Sequence, residues 1–484
     1  MNSGIRKVGI AVTLLLLVLV GQLTYLQVIH ADKLDDDPRN NRAVLRDINR
    51  PRGDIVSAEG EVLATSVESD DNTDFEYQRL YPLGGLTAQV VGYQSFVVGN
   101  TGIERTYNDD LAGRSPELKS LGDFLRGEET TGTVVLNLRT AVQRIAAEEL
   151  GDQKGSIVVL DVRTGGIVAM YSNPTYDPQP LAGHDTQAVS DYYTLLSSDP
   201  AKPDLPRAYR EIYPPGSTFK VVTSAVGFDT GTTTPDTVYP SITSLDLPLT
   251  TSQLDNFGGQ VCGGTVFESF VRSCNTTFAK IGLELGDKFP PGLEGFGVEG
   301  EAPPLDVYPG AVRNTGLEGA DFETDTPQFA FAGIGQGTVA TSPLEMAMVA
   351  QSVANGGIML EPHAAKEIRD PKGKAVQSFD ATPWKTAMTP ATSLTLTAMM
   401  RAVVERGTGT RAQIAGVAVA GKTGTAQNST GDPHAWFIGF APAEAPQYAV
   451  AVIVENGGST GSEATGGAVA APIAARVLEA ALNP

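Results

Sequence analysis

The chain reads as an α+β protein: one transmembrane helix, a turn-rich region of short strands, and a large domain with an antiparallel sheet and flanking helices. Three observations predict this. Apolar hairpins stand near both ends of the large domain, helical segments fill the chain between them, and one unbroken apolar stretch lies near the N-terminus. The first hairpin pairs residues 156–160 with 166–170 around Asp161-Val162-Arg163-Thr164-Gly165; the second pairs 435–440 with 448–454 around Pro442-Ala443-Glu444-Ala445-Pro446.

Between Val8 and Ile29 there is no charged residue. At the helical rise this stretch spans ~33 Å, the thickness of a bilayer's hydrocarbon core. Arg6 and Lys7 precede it, and Asp32, Asp35, Asp36 and Asp37 follow. The positive-inside rule places residues 1–7 in the cytoplasm and the body of the chain outside. Cleavage after His30-Ala31 lacks a small-x-small site, which favours an uncleaved, single-pass signal anchor over residues 8–29.

Residues 35–130 are turn-rich with short strand-like pieces, notably Arg52-Gly53-Asp54-Ile55-Val56 and Gly102-Ile103-Glu104. Gly127-Glu128-Glu129-Thr130-Thr131-Gly132 punctuates the boundary, and the large domain runs over 133–484. It opens with a strand at 133–136 and a helix over 139–150, whose Val142, Ile145, Ala146 and Leu150 share one face. A helix over 467–482 closes it.

Several function classes are excluded early. The net charge of −21 repels nucleic acid, whose binding needs clustered Lys and Arg. Two cysteines and four histidines show no metal-ligand spacing, so no metal or cofactor site is expected. No G-x-S-x-G elbow precedes a histidine, Gly335-Gln336-Gly337 lacks the G-K-[ST] of a phosphate loop, and Asp321, Glu323 and Asp325 read as a solvated loop. Export puts Cys262 and Cys274 where a pair can close a short loop; two buried free thiols are the other reading.

The chemistry-bearing motifs begin at Ser217-Thr218-Phe219-Lys220, which follows Tyr213-Pro214-Pro215-Gly216. Two prolines and a glycine announce a helix start, and positions three apart share a helix face. The Lys220 amine can therefore reach the Ser217 hydroxyl, and a Lys acts as the base a Ser needs when burial or a nearby cation lowers its pKa. Ser273-Cys274-Asn275 follows inside the helical-looking stretch 266–285; its Ser can relay a proton and its Asn amide can hold a substrate amide. Lys422-Thr423-Gly424-Thr425 opens a strand-like region. Lys422 supplies positive charge, Gly424 allows close backbone approach to substrate, and the Thr423 and Thr425 hydroxyls suit a carboxylate. The peptide N–H groups of Ser217 and Thr425 would make an oxyanion hole.

The ordered set S-x-x-K, S-x-N, K-T-G is specific, and with it the chain resembles the class B penicillin-binding proteins, particularly the actinobacterial A type. The resemblance extends to the Arg52-Gly53 and Gly102-Ile103-Glu104 segments, Gly335-Gln336-Gly337, Ala354-Asn355-Gly356-Gly357, and His434-Ala435-Trp436-Phe437-Ile438-Gly439-Phe440. Ser57-Ala58-Glu59-Gly60 departs from the Asp-Arg-Asn-Gly common in the family's pedestal. The resemblance implies a penicillin-binding transpeptidase domain with an all-helical subdomain beside its sheet, preceded by a small extended pedestal domain. It implies a D,D-transpeptidase that cross-links peptidoglycan stem peptides through an acyl-enzyme on Ser217 and is acylated by β-lactams. It also implies a polytopic membrane glycosyltransferase, among other cell-wall synthesis proteins, as partner.

A β-lactamase would need a water-activating Glu, and no E-x-x-L-N lies between Ser273 and Lys422. A β-lactam sensor would need an intracellular signalling region, and a silent division or elongation scaffold would tolerate loss of motif residues that are all present.

Overall fold

The computed structural model describes residues 2–25, 49–70, 75–115, 131–428 and 431–483. The contacts divide it into two units, residues 1–51 with 67–78 and residues 52–66 with 79–484.

The first unit carries the helix Asn2–Thr24, whose span Gly4–Thr24 is long and apolar enough to cross a membrane. Leu14, Leu15, Leu17 and Val18 are more than half exposed, as a helix solvated by lipid requires. The end of the expected span (26–29) and the acidic residues after it lie outside the described residues. So do residues 35–48, 71–74 and 116–130 of the expected pedestal, the last including part of the boundary segment.

The second unit is organised on a five-stranded antiparallel sheet, in the order Ala420–Ala426, His434–Ala441, Tyr448–Val454, Gly155–Asp161 and Ile167–Asn173. Both expected hairpins are thus present, joined side by side into one sheet. Its strands are apolar without alternation because both faces are covered. Ile157, Val159, Phe437, Val450 and Val452 face a core shared with the helices Thr140–Leu150 and Ala470–Leu482. Their neighbours Val158, Leu160, Trp436, Ile438 and Ala451 face the opposite core, where helix Pro343–Ala354 is buried from Pro343 to Val353. Beyond that helix lies a helical layer that includes Lys220–Asp229, Val266–Arg272, Asn275–Leu285, Phe322–Ala332 and Pro390–Arg406. Asp321, expected in a solvated loop, caps the fourth of these: its Oδ1 accepts the Glu323 N–H at 2.8 Å.

A second, six-stranded sheet ties early and late parts of the chain together. Ile55–Val56 pairs in parallel with Thr133–Leu136, which pairs antiparallel with Ala365–Arg369. Beside it, Arg52 and the Gly102-Ile103-Glu104 segment meet in a buried ionic cluster. Arg52 Nε and Arg79 Nε each donate to the Glu104 carboxylate at 2.6 Å, and Arg52 Nη2 donates to the Glu104 carbonyl at 2.6 Å. Burial alone would raise the Glu104 pKa, but Arg79 and Arg52 outweigh it and hold the carboxyl below its ordinary value. A depressed carboxyl pKa contributes stability that is fully present above the unfolded value, about 4.3, and is lost as pH falls through the folded value. Urea midpoints should accordingly fall more steeply below that pH in the wild type than in Glu104→Gln. Parallel profiles would remove Glu104 from the acid response.

Candidate active site

Ser217 stands on a single turn of 3₁₀ helix, Gly216–Phe219, that opens the helix Lys220–Asp229. Gly216 adopts φ +54°, and a Cβ there would lie 2.9 Å from the Thr425 carbonyl oxygen. Only glycine meets both demands. The Gly216 N–H donates to Gly335 O at 2.9 Å, so the Gly335-Gln336-Gly337 turn clamps the nucleophile turn from the other side. Trp436, fully buried, donates its indole N–H to Pro214 O at 3.1 Å.

The strand Ala420–Ala426 lies directly on this turn. A Cβ at Gly424 would meet Pro215 O at 2.9 Å and Thr218 Cγ2 at 3.0 Å. The close approach that Gly424 permits is thus to the Pro215–Thr218 turn itself, and it brings Lys422 into the site.

Ser273 enters through a break in helical structure. In place of one helix over 266–285 there are two, Val266–Arg272 and Asn275–Leu285, and Ser273 between them is left-handed at φ +61°. Such a conformation costs a non-glycine residue about 1–2 kcal/mol. The break is held from three directions. Ser273 and Cys274 N–H groups return to Phe270 O and Ser269 O at 3.1 and 2.8 Å, closing the first helix. Asn256 Oδ1 accepts the N–H groups of Asn275 and Thr276 at 2.8 and 3.1 Å, capping the second. Cys274 is disulfide-bonded to Cys262, with Cα atoms 5.4 Å apart.

Three side chains then converge on the Ser273 hydroxyl region. Lys220 Nζ lies 2.8 Å from Ser273 O, 2.8 Å from Asn275 Oδ1 and 3.3 Å from Ser273 Oγ. Lys422 Nζ donates to the same Oγ at 2.9 Å and to Thr423 O at 3.1 Å. Both lysines are fully buried. Burial, with the Lys422 charge beside it, pushes the Lys220 amine well below its ordinary pKa; burial alone brings Lys422 down to about 7. A neutral Lys220 has two N–H donors, and Ser273 O and Asn275 Oδ1 accept both. The remaining lone pair is what a hydroxyl proton needs.

Two expectations turn out differently. Ser217, half-buried, makes no side-chain hydrogen bond among the described residues, so the direct Ser217–Lys220 bond that the spacing suggests is not formed. Of the two threonines, Thr425 lines the cleft, whereas Thr423 is buried with its hydroxyl 2.5 Å from Thr408 Oγ1. Asn275 uses one amide hydrogen on Asp255 O at 3.0 Å, which leaves the other for a ligand. The cleft itself measures about 860 Å³, and its walls include Ser217, Asn256, Asn275, Phe331, Gln336 and Thr425.

Behind the nucleophile turn lies support that no motif announces. Glu455 accepts from Arg207 Nε at 3.0 Å and from the Tyr213 hydroxyl at 2.8 Å, and His434, 8 % exposed, stacks edge-on to the Tyr213 ring. His434 Nδ1 accepts the Asn456 N–H at 3.1 Å and so packs as a structural histidine. Asn256, the cap of the Ser273 break, escapes sequence reading too, because it lies 19 residues from the N–H it accepts.

A family profile for the penicillin binding protein transpeptidase domain matches residues 155–479. The chain belongs to this family. The penicillin binding protein A dimerisation domain matches residues 52–135. The chain is 40% identical to the peptidoglycan D,D-transpeptidase PbpA of Mycolicibacterium smegmatis over all of its own length and 99% of that protein. It is 37% identical to the Mycobacterium tuberculosis protein of the same name, with the same coverage. Its fold superposes on the ceftriaxone acyl-enzyme complex of M. tuberculosis penicillin-binding protein A with a TM-score of 0.84, at 35% identity, covering 91% of this chain and all of that one. The penicillin G acyl-enzyme complex gives 0.81 at 35% identity, covering 90% and 100%.

The disulfide invites a direct measurement. A loop closed over a separation of 12 residues is worth about 2–3 kcal/mol in the chain-entropy model. Reduction should lower the melting temperature and also slow penicillin acylation, because it frees Cys274, which adjoins Ser273. An unchanged acylation rate in reduced protein would confine the bond to stability.

Proposed function

We propose that this membrane-anchored chain is a peptidoglycan D,D-transpeptidase with Ser217 as its nucleophile. The observation that carries the reading is the convergence of Lys220, Asn275 and Lys422 around Ser273, in the cleft region that Ser217 lines with a hydroxyl that makes no hydrogen bond among the described residues. In this mechanism Ser217 Oγ attacks the penultimate D-Ala carbonyl of a stem peptide and Lys220 takes its proton. The peptide N–H groups of Ser217 and Thr425 stabilise the oxyanion. The tetrahedral intermediate collapses, the C–N bond breaks, and the terminal D-Ala leaves with a proton relayed through Ser273. An amine from a neighbouring stem then attacks the ester, and its proton returns to Ser217 as the cross-link forms. Lys422 and Thr425 hold the substrate carboxylate, Asn275 the substrate amide, and Thr423 braces the strand through Thr408.

A β-lactam enters by the same step, its ring opening onto Ser217. Deacylation by water needs a base on the far side of the ester, and the sequence supplies no E-x-x-L-N motif for one. The penicilloyl adduct should therefore persist far longer than it takes to form, while a stem-peptide analogue releases D-Ala. Intact-mass spectrometry checks both; an adduct lost within seconds would indicate a lactamase, and an adduct without D-Ala release a sensor.

The apolar helix is the membrane anchor in this reading. Arg6 and Lys7 support a cytoplasmic N-terminus and an extracytoplasmic catalytic domain. A polytopic glycosyltransferase that polymerises the glycan strands is the partner we infer, since cross-linking needs a supply of new strands.

A further inference from the structure

A second cleft, of about 410 Å³, shares no lining residue with the Ser217 cleft, and none of its lining is used by the mechanism above. We propose that it is a saccharide-binding site, one that holds the glycan part of the peptidoglycan substrate; the choice of glycan rests on the transpeptidase reading. Five tyrosines line it: Tyr93, Tyr176, Tyr193, Tyr209 and Tyr308. Their rings and hydroxyls pack against one another and their neighbours. Tyr93 and Tyr176 meet edge-to-face with centroids 6.3 Å apart, Arg105 stacks 3.8 Å over the Tyr308 ring, and the Tyr209 hydroxyl donates to Gln89 O at 3.1 Å. Tyr93, Tyr176 and Tyr209 are buried and back the wall; the exposed rings, Tyr193 and the face of Tyr308 that Arg105 leaves open, accept the C–H face of a pyranose, since the face of an aromatic ring is electron-rich.

The polar groups fit the same ligand. Lys202, Asp204 and Arg210 stand in the lining and are exposed, so the site offers donors and an acceptor together and no single sign of charge. The hydroxyls of Tyr193 and Tyr308, residues 41% and 40% exposed, have no partner among the described residues. Asp204 can accept and Lys202 and Arg210 can donate, so the lining suits a ligand that carries both kinds of group. A sugar brings several hydroxyls and amide N–H groups. A proline-rich peptide also favours aromatic grooves, yet it brings few donors. The volume lies within the usual range for small-ligand sites, about 300–1,000 Å³.

The site is also braced to the nucleophile turn. Arg207 donates to Lys202 O at 2.9 Å and Ala201 O at 2.6 Å, and through Glu455 it reaches Tyr213, four residues before Ser217. The cleft and the acylation site are thus anchored on one buried guanidinium.

The test uses the full chain in lipid nanodiscs, with a peptide-free tetrasaccharide of N-acetylated amino sugars as probe and binding read by calorimetry or ligand-observed NMR. The wild type should bind it, Tyr193→Ala and Asp204→Ala should each bind about 3- to 10-fold more weakly, and penicillin acylation should stay at the wild-type rate in both. No binding to the wild type, equal binding by the variants, or displacement by a proline-rich peptide but not by the sugar would overturn the proposal. Acylation is measured on the same samples, so a failure of the Ser217 reading would show as unlabelled wild type whatever the sugar does.

Discussion

Ser217→Ala is expected to abolish covalent penicillin labelling and leave the fold intact. The hydroxyl is the only bond-forming atom proposed, and among the described residues no side-chain hydrogen bond is lost with it. The turn that carries it is held by other groups: Gly216 N–H on Gly335 O at 2.9 Å and the Trp436 indole on Pro214 O at 3.1 Å. The change in stability should therefore stay within about 0.5 kcal/mol, as for substitutions away from structural features. Fluorescent-penicillin labelling and a thermal melt on the same preparation suffice. A labelled alanine variant would sink the central assignment; an unlabelled, unfolded one would call for Ser217→Cys, which keeps a nucleophile of similar size.

Lys220→Ala should slow acylation by a factor on the order of 10² or more, the usual contribution of a general base. Part of the damage is structural, because Ser273 O and Asn275 Oδ1 each lose a donor at 2.8 Å. Lys220→Arg separates the two effects. It restores the donors but stays charged and cannot take up a proton, so it should remain as slow as the alanine variant if Lys220 is the base. The pH profile gives an independent check. Acylation requires Lys220 neutral, which holds above its depressed pKa, and Lys422 charged, which in the free enzyme fails as pH rises through about 7. The second-order acylation rate should form a bell with its alkaline limb near that value, and Lys422→Arg should move the limb upward. A flat profile across neutral pH would detach both amines from the rate.

Much of this architecture is written locally. The strands 155–161 and 448–454 are largely β-branched and small apolar runs, and short turns join each to its hairpin partner, so local pattern suffices to find them. The nucleophile turn is legible for a similar reason: two prolines, a glycine and a Ser/Lys pair act within one helical turn. The three motifs are readable because each is short and the chemistry needs those side chains in that order.

What stayed hidden depends on distant contacts. The interruption at Ser273 looks like uninterrupted helix in sequence, because neither Ser273 nor Cys274 is a breaker. It exists because Asn256, the Cys262 bond and the Ser269 carbonyl supply a better set of partners than a continuing helix would. Likewise, spacing placed Lys220 on the same helix face as Ser217, but the tertiary structure gave its hydrogen bonds to Ser273 and Asn275. Burial depressed both amines, and burial is a property of the assembled core that no local pattern carries. The sequence by itself determined which residue types are present for acyl transfer; only the packing of sheet, turn and broken helix decided which of them meet and in what protonation state, because a pKa and a hydrogen bond belong to an environment rather than to a residue.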